Sequence, residues 1–219
     1  MDFTVVLPAY NEEKRISKTL KRIRQHSKSI IVVDDGSSDR TSEVAEKEGA
    51  TVIRFDENIG KGAAVIAGII EAPTEAVVLI DADNQFSADE IPVLLRELKS
   101  HDLVLGNRFS APQKNSFPAY RLMANKLIQS IVRLRCGVSD PLTGFRALRK
   151  SRFTGLREKG FNTDLEMVFY AWRNGYSIKE APVSVSYSLN EESKFANPLS
   201  VTAITEYLKL FSYALRNVF

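Results

Sequence analysis

The sequence predicts an α/β protein in which a mostly parallel sheet carries helices on both faces. Three observations point there. Five short, apolar, β-branched runs recur through the first half of the chain. Amphipathic stretches with helical spacing separate them, the pattern of strand–helix–strand units with right-handed crossovers. At 219 residues with 44% hydrophobic and 26% charged residues, the chain has the size and composition of one globular domain.

The predicted strands are Phe3–Leu7, Ile30–Val33, Thr51–Phe55, Ala76–Ile80 and Leu103–Leu105, each apolar on both faces and so buried. Ile16, Leu20 and Ile23 recur at helical spacing behind Asn11, which reads as an N-cap followed by Glu12 and Glu13. Thr41–Glu48 reads as a short helix opened by Ser38 or Asp39 and closed by Gly49. Gly62–Ala72 and Ala88–Lys99 are two further helices.

Beyond Gly106 the order changes. A polar connector from Pro112 to Pro118 leads into a helix over Tyr120–Arg135, with Met123, Leu127, Ile131 and Leu134 on one face. Gly144–Arg149 reads as a strand and Thr163–Asn174 as a helix. Val183, Val185 and Tyr187 alternate with serines, the period of a half-exposed strand. From Leu199 to Phe219 a helix carries Val201, Ile204, Leu208, Phe211, Leu215 and Val218 on one stripe. These elements form a single domain: 1–108 as one half, 109–196 as the other, and 197–219 as a C-terminal amphipathic helix.

Composition narrows the chemistry. One cysteine, Cys136, excludes an internal disulfide and a Cys-rich zinc site and fits a reducing compartment. Two histidines, His26 and His101, each follow a helix, where His commonly serves the C-terminal end. A net charge of +3 does not indicate nucleic acid. No stretch has the length and apolarity of a membrane span or the pattern of a secretory signal, so a cytoplasmic protein, or one resting on a membrane face, is expected.

In an open parallel sheet, ligands sit beyond the carboxyl ends of the strands. Here those ends are acidic: Asp34-Asp35-Gly36-Ser37 after the second strand and Asp81-Ala82-Asp83 after the fourth. Residues two apart in an extended segment project to one side, so Asp81 and Asp83 can aim at one point, with Gln85 following. Paired carboxylates at a buried strand end call for a cation or hydrogen bonds, and Mg²⁺ or Mn²⁺ with a substrate phosphate is the natural solution. A lone Asp there would more often cap a turn; two clusters facing one crevice favour the site. In NIGKG (58–62), Gly60, Lys61 and Gly62 fit either a phosphate contact or a tight turn.

LPAYNEE (7–13), VVDDGSSDRT (32–41), NIGKGAAVIAG (58–68), DADNQF (81–86) and GNR (106–108) resemble, in order, the motifs of family 2 glycosyltransferases with the GT-A fold. DPLTGFRA (140–147), EAPVSVSY (180–187) and ESKF (192–195) resemble the polyprenyl-phosphate branch, which includes dolichyl-phosphate mannose and glucose synthases. The resemblance covers nearly the whole chain. It implies that Pro8, Tyr10, Glu12 and Asp35 hold the nucleotide, helped by Lys61, and that Asp81, Asp83 and Gln85 hold the metal on the donor diphosphate. Arg108 then faces phosphate, with Asp83 and Arg108 the catalytic pair. The partners implied are a nucleoside-diphosphate sugar and a polyprenyl phosphate lipid, not nucleic acid, and inversion at the anomeric carbon is expected.

A phosphate acceptor is already a nucleophile, its second pKa being about 6, and needs no base. The Tyr120–Arg135 helix and the terminal helix mix apolar and basic residues and read as a membrane-lying surface, as packing on the sheet or as a dimer seam. Some motifs depart from the branch. Ser188 and Leu189 stand where mannose-type members carry an Arg, leaving Arg146 and Lys194 as the substitutes on the acceptor phosphate. Asn162 replaces a Lys. GKGAAV and the Asp164–Glu166 pair look closer to glucose-type, UDP-using relatives, whereas DPLTGFRA looks mannose-type. Glu166 reads equally as a structural or an acceptor-side residue, and Trp172 and Cys136 as packing. A sugar nucleotidyltransferase would need a glycine-rich loop at PAYNEEKR. A polysaccharide-extending relative would need a late QxxRW-type sequence where AWRNGYS stands. A silent nucleotide-sugar-binding module remains the other alternative.

Overall fold

The computed structural model describes residues 1–110, 119–186 and 201–218. Strands β1 (Phe3–Ala9), β2 (Ile30–Asp34), β3 (Thr51–Arg54), β4 (Ala76–Leu79), β5 (Leu103–Asn107), β6 (Arg146–Arg149) and β7 (Ile178–Pro182) form one sheet. Its order is β3-β2-β1-β4-β6-β5-β7. All pairings are parallel except those of β6, which runs antiparallel to both β4 and β5. The helices are α1 (Ile16–Ile23), α2 (Thr41–Lys47), α3 (Lys61–Glu71), α4 (Ile91–Leu98), α5 (Ala119–Cys136), α6 (Thr163–Arg173) and α7 (Val201–Val218).

Strand alternation sorts the core into two layers. Val5, Leu7, Ile30 and Val32 face α1, α2 and α4, burying Ile16, Leu20, Ile23, Leu94 and Leu98. Val6, Ile31 and Val33 face α3, α5, α6 and α7, burying Val65, Val132, Phe169 and Leu210. α3 rests directly on β1 because Gly68 has no side chain there; a Cβ would stand 2.2 Å from Val6 Cγ1.

The mostly parallel, doubly covered sheet agrees with the sequence, as do the five leading strands. Several details differ. β3 is the sheet edge and is not buried, since only β2 pairs with it. Asn11 is not a helix cap: it adopts φ 55° and its side-chain oxygen accepts from Ser38 N, while α1 begins at Ile16 after a turn closed on Glu12 O. Asp39 does serve the start of α2, accepting from Thr41 N at 3.0 Å. Gly49 closes that helix at φ 74°, with Gly49 N donating to Glu46 O and Ala50 N to Ala45 O.

The ladder with β5 is made by Ile178–Pro182, upstream of the alternating segment. Val183 and Val185 are buried beside it; Val183 N still donates to Asn107 O on β5, after which 183–186 leaves the ladder and bridges Phe86 through Val185. The apolar stripes of the long helices are rotated from expectation. Among the described side chains of α5 the buried ones are Asn125, Ile128 and Val132, with Leu127 and Leu134 turned out at 55% and 84% exposure. On α7 they are Leu210 and Ala214, with Leu208 63% exposed. Ile131 and Phe211 of the expected stripes do pack against this layer, as do Tyr207 and Tyr213, while the fit of the two helices to each other and to α6 leaves the expected leucines Leu127, Leu134 and Leu208 outside. Among the described residues no helix is long and apolar enough to cross a membrane. The Pro112–Pro118 connector, Tyr187, Lys194 and the ESKF segment lie outside the described residues.

Candidate active site at the carboxyl ends of the strands

A cleft of about 1570 Å³ opens where β1, β2, β4 and β5 end. Its wall at β1 is Pro8, Ala9, Tyr10 and Glu12. The loop after β1 is sewn to the loop after β2: Asn11 N donates to Ser37 Oγ, Glu12 N to Thr41 Oγ1 and Glu13 N to Asp39 Oδ2. The Glu12 carboxylate receives Arg15 Nε at 2.6 Å and Nη2 at 2.9 Å. The expected acceptor for ribose or base therefore arrives already forked by an arginine.

Asp34 and Asp35 divide their work. Asp34, at the end of β2, is buried and accepts from Ser37 N and Ser42 Oγ, so it shapes the turn. Asp35 lines the cleft and accepts from Ile59 N at 2.7 Å and Gly60 N at about 3 Å, fixing the loop that leads into α3. Gly36 is needed between this turn and that loop, because a Cβ there would stand 2.4 Å from the Glu57 carbonyl carbon.

Asp81, Asp83 and Gln85 all line the cleft. A turn brings them together, not continued strand alternation: β4 ends at Leu79 and Asn84 takes φ 61°. Gln85 N donates to Asp83 Oδ1 at 3.1 Å. Burial, with the Asp81 charge behind it, pushes the Asp83 carboxyl up to about 7. Among the described residues no group of three His, Cys, Asp or Glu side chains gathers as a metal cluster, so these two carboxylates and Gln85 are the candidate set.

Lys61 joins this group. Its Nζ lies 2.9 Å from Asp81 Oδ1 and 3.4 Å from Asp164 Oδ2. Burial opposes its charge, yet Asp164 and Asp81 hold its pKa above the ordinary lysine value. Asp164 in turn sits 3.3 Å from Arg146 Nη2. Arg146 is 1% exposed and does not line the cleft. It donates to Thr143 O, Pro141 O and Asp164 O, and burial pulls its pKa down. The expectation that Arg146 grips an acceptor phosphate is therefore corrected: it is a buried strut tying the 141–144 loop to α6.

Arg108 lines the cleft beyond β5 and is not a solvated surface residue. The buried Asp140 accepts from its backbone N, from Nε at 2.8 Å and from Nη2 at 2.8 Å. Glu180 on β7 receives Asp140 N, Ser139 N and Asn107 Nδ2, so β7 supports this fork from behind. The Asp140–Glu180 support was not read from the sequence as function, although DPLTGFRA and EAPVSVSY contain both residues. Neither motif says that Asp140 faces an arginine more than thirty positions away, or that Glu180 backs it from β7.

The remaining candidates resolve simply. Glu166 accepts from Arg157 N and Glu158 N and so pins the loop before α6; burial pushes its pKa up. His101 Nδ1 meets Glu97 O at the end of α4, and His26 Nε2 lies 3.1 Å from Asp89, both outside the cleft. Trp172 lies under the Arg135 guanidinium, 4.6 Å away, also outside the cleft. Burial pushes the Cys136 thiol up to about 11, far from thiolate reactivity. α7 contributes Tyr207, Lys209 and Leu210 to the cleft, a role the stripe reading did not foresee.

Residues 4–172 match glycosyl transferase family 2. The dolichol-phosphate mannosyltransferase of Pyrococcus furiosus is 32% identical over 226 residues, covering 95% of this chain and 62% of that enzyme. The UDP-N-acetylglucosamine–dolichyl-phosphate N-acetylglucosaminyltransferase of Methanococcus voltae is 29% identical over 214 residues, covering 84% and 85%. Glucosyl-3-phosphoglycerate synthase from Mycobacterium tuberculosis, solved with Mn²⁺ and UDP-glucose, superimposes with a TM-score of 0.76 at 22% identity, covering 97% of this chain and 78% of that one. The sheet is thus the GT-A arrangement. Because the match runs from β1 into α6, the elements that build the cleft, this chain belongs to glycosyl transferase family 2 and is a glycosyltransferase.

Proposed function

We propose that the protein moves a hexose from a nucleoside-diphosphate sugar to a polyprenyl phosphate, with inversion and with help from Mg²⁺ or Mn²⁺. The observation that carries this reading is the cleft itself: the Asp81–Asp83 pair stands between the Tyr10–Asp35 wall and Arg108. Its volume exceeds the roughly 300–1,000 Å³ of a single small-ligand site, which leaves room for a second substrate. Relatives named for dolichyl phosphate support the acceptor class. Their sugars differ, so mannose-type and glucose-type donors, GDP- or UDP-linked, both fit.

The acidic set suits a hard divalent ion. Two crowded carboxylates, one of them holding its proton up to about 7, carry negative charge that a cation relieves. Asp81, Asp83 and Gln85 would hold the ion, which when bound neutralises the departing diphosphate. The protein's own residues do the rest. Tyr10 offers a ring to the base, and the loop fixed by Asp35 closes its edge. Arg108, its plane set by Asp140, stabilises negative charge as the glycosidic bond breaks. No side chain need take a proton, because the acceptor is a phosphate oxygen. Asp164 agrees with this: both its oxygens face buried cations, which leaves it poorly placed as a base.

An anionic lipid acceptor also needs a surface. The outward Leu127 and Leu134 of α5, beside Lys126 and Arg133, and Leu208 with Lys209 on α7, supply apolar and basic contacts of the kind that lie among lipid headgroups. Lys194, expected at the acceptor phosphate, stays part of the reading by resemblance alone. The decisive experiment incubates the protein with Mn²⁺ or Mg²⁺, a panel of UDP- and GDP-sugars, and a short polyprenyl phosphate, following nucleoside diphosphate release. Release that requires the lipid and is lost in Asp83→Ala is expected. Equal release without lipid, or full activity in Asp83→Ala, would overturn the proposal.

A further inference from the structure

Lys61 lies in the cleft and touches two separate carboxylates. Its Nζ meets Asp81 Oδ1 at 2.9 Å and Asp164 Oδ2 at 3.4 Å. The two acids arrive from different parts of the chain, Asp81 from the turn after β4 and Asp164 from the first turn of α6. They also differ in what holds them. Asp164 is anchored from behind by Arg146, which takes both its carboxylate and its backbone carbonyl. Asp81 is bounded on one side by Gly144, whose missing side chain leaves room for the carboxylate, and shares its field with Asp83.

A divalent ion held by Asp81 and Asp83 must therefore share Asp81 with an ammonium already on Oδ1. Two cations on one carboxylate, Lys61 on Oδ1 and the ion beside it, repel in a partly buried site. A lysine on a four-carbon stem can shift by a fraction of a bond length or more without moving its backbone. Asp164 offers the destination, since its charge and distance already engage Nζ.

We infer that Lys61 is a shared counter-charge, ceding Asp81 to the divalent ion and falling back on Asp164. Asp164 is then a positioning residue: it acts on the metal site through Lys61 and does not touch the ion. This inference rests on the metal reading given above and adds the residue that sets how strongly the ion is held.

Mn²⁺ binding, read from the electron paramagnetic resonance signal of the free ion with and without UDP, tests it on four proteins: wild type, Lys61→Met, Asp164→Asn and the double variant. Lys61→Met should bind Mn²⁺ about tenfold more tightly than wild type, because the competitor on Asp81 is gone. Asp164→Asn should bind about tenfold more weakly, because Lys61 loses its fallback. In the Lys61→Met background the Asp164→Asn change should cost less than about twofold, since its effect runs through the lysine. Lys61→Arg, which keeps the charge, serves as the folded control and should not show the tightening.

A full tenfold loss from Asp164→Asn in the Lys61→Met background would overturn the inference, because Asp164 would then act directly or by simple charge. So would unchanged or weaker binding in Lys61→Met. A wild type that binds no Mn²⁺ even with UDP would overturn the metal reading itself and the inference with it, an outcome distinct from the other two.

Discussion

Gly144 and Asp81 occupy neighbouring space so closely that a Cβ on Gly144 would stand 1.8 Å from Asp81 Oδ2. Gly144, two positions before β6, thus sets the limit against which the first acid of the site rests. Lys61 holds the other oxygen. Gly144→Ala should push the carboxylate off this seat. Release of nucleoside diphosphate should fall roughly 100-fold, the scale of a misplacement near 1 Å. Thermal unfolding should show only a modest loss of stability, since a carboxylate tip can yield more readily than backbone. Unchanged turnover would show that Asp81 is not held there.

Arg108 depends on a fork. Asp140 is fully buried and accepts three hydrogen bonds from Arg108. Asp140→Ala would remove this fork from Arg108 and should cost about 3–5 kcal/mol of stability in urea unfolding. Arg108→Lys keeps a charge but cannot make the fork, and should lower kcat about 100-fold with a smaller loss of stability. The separation of the two effects is the measurement: stability should follow Asp140, turnover Arg108.

Acid should loosen the far end of the sheet. Burial pulls the Asp102 carboxyl up, but hydrogen bonds from Ser177 N and Oγ, with Arg152 nearby, hold its pKa below the ordinary 3.8. A depressed carboxyl contributes stability that is present above its unfolded pKa and is lost as pH falls through the lower folded value. Urea midpoints between pH 5 and pH 2 should decline, and Ser177→Ala should shrink that decline. The same slope in both proteins would assign the acid sensitivity elsewhere.

The outward leucines of α5 can be tested apart from the cleft. Leu127 and Leu134 are 55% and 84% exposed, and replacing both with Asp removes apolar contact without opening the core. Co-sedimentation with anionic vesicles should weaken at least about tenfold, at about 1.5–3 kcal/mol for each leucine buried in lipid. Activity on a short, water-soluble polyprenyl phosphate should persist. Undiminished vesicle binding would remove α5 from the membrane surface.

The parallel sheet was legible because β1, β2, β4 and β5 bury both faces, and runs such as IIVVD and AVVL state that directly. The acids at their ends were legible for the same reason: Asp34 and Asp81 follow apolar runs directly, with Asp35 and Asp83 one and two positions behind them. β7 was harder, because IKEAP alternates charge with small residues and owes its place to pairing with β5. The phase of α5 and α7 depends on which face their neighbours leave open, and no local pattern carries that. Arg146 misled for a related reason. An arginine in a phosphate-transfer motif suggests a ligand, whereas three backbone carbonyls and Asp164 consume its donors. Lys61, balanced between turn and ligand in the sequence, needed the tertiary position of Asp164 before its role could be argued.

β6 has an architectural consequence. Because it is wedged between β4 and β5, the first 108 residues do not form a contiguous sheet by themselves; β4 and β5 meet only through a strand made later. A polypeptide ending at Arg108 would leave a missing plank in the middle of its floor, with two unpaired edges facing the gap. The two halves expected within one domain are therefore interlocked. Their completion during synthesis waits for residue 149 to emerge, and the cleft cannot be inherited by, or transplanted with, the leading portion alone.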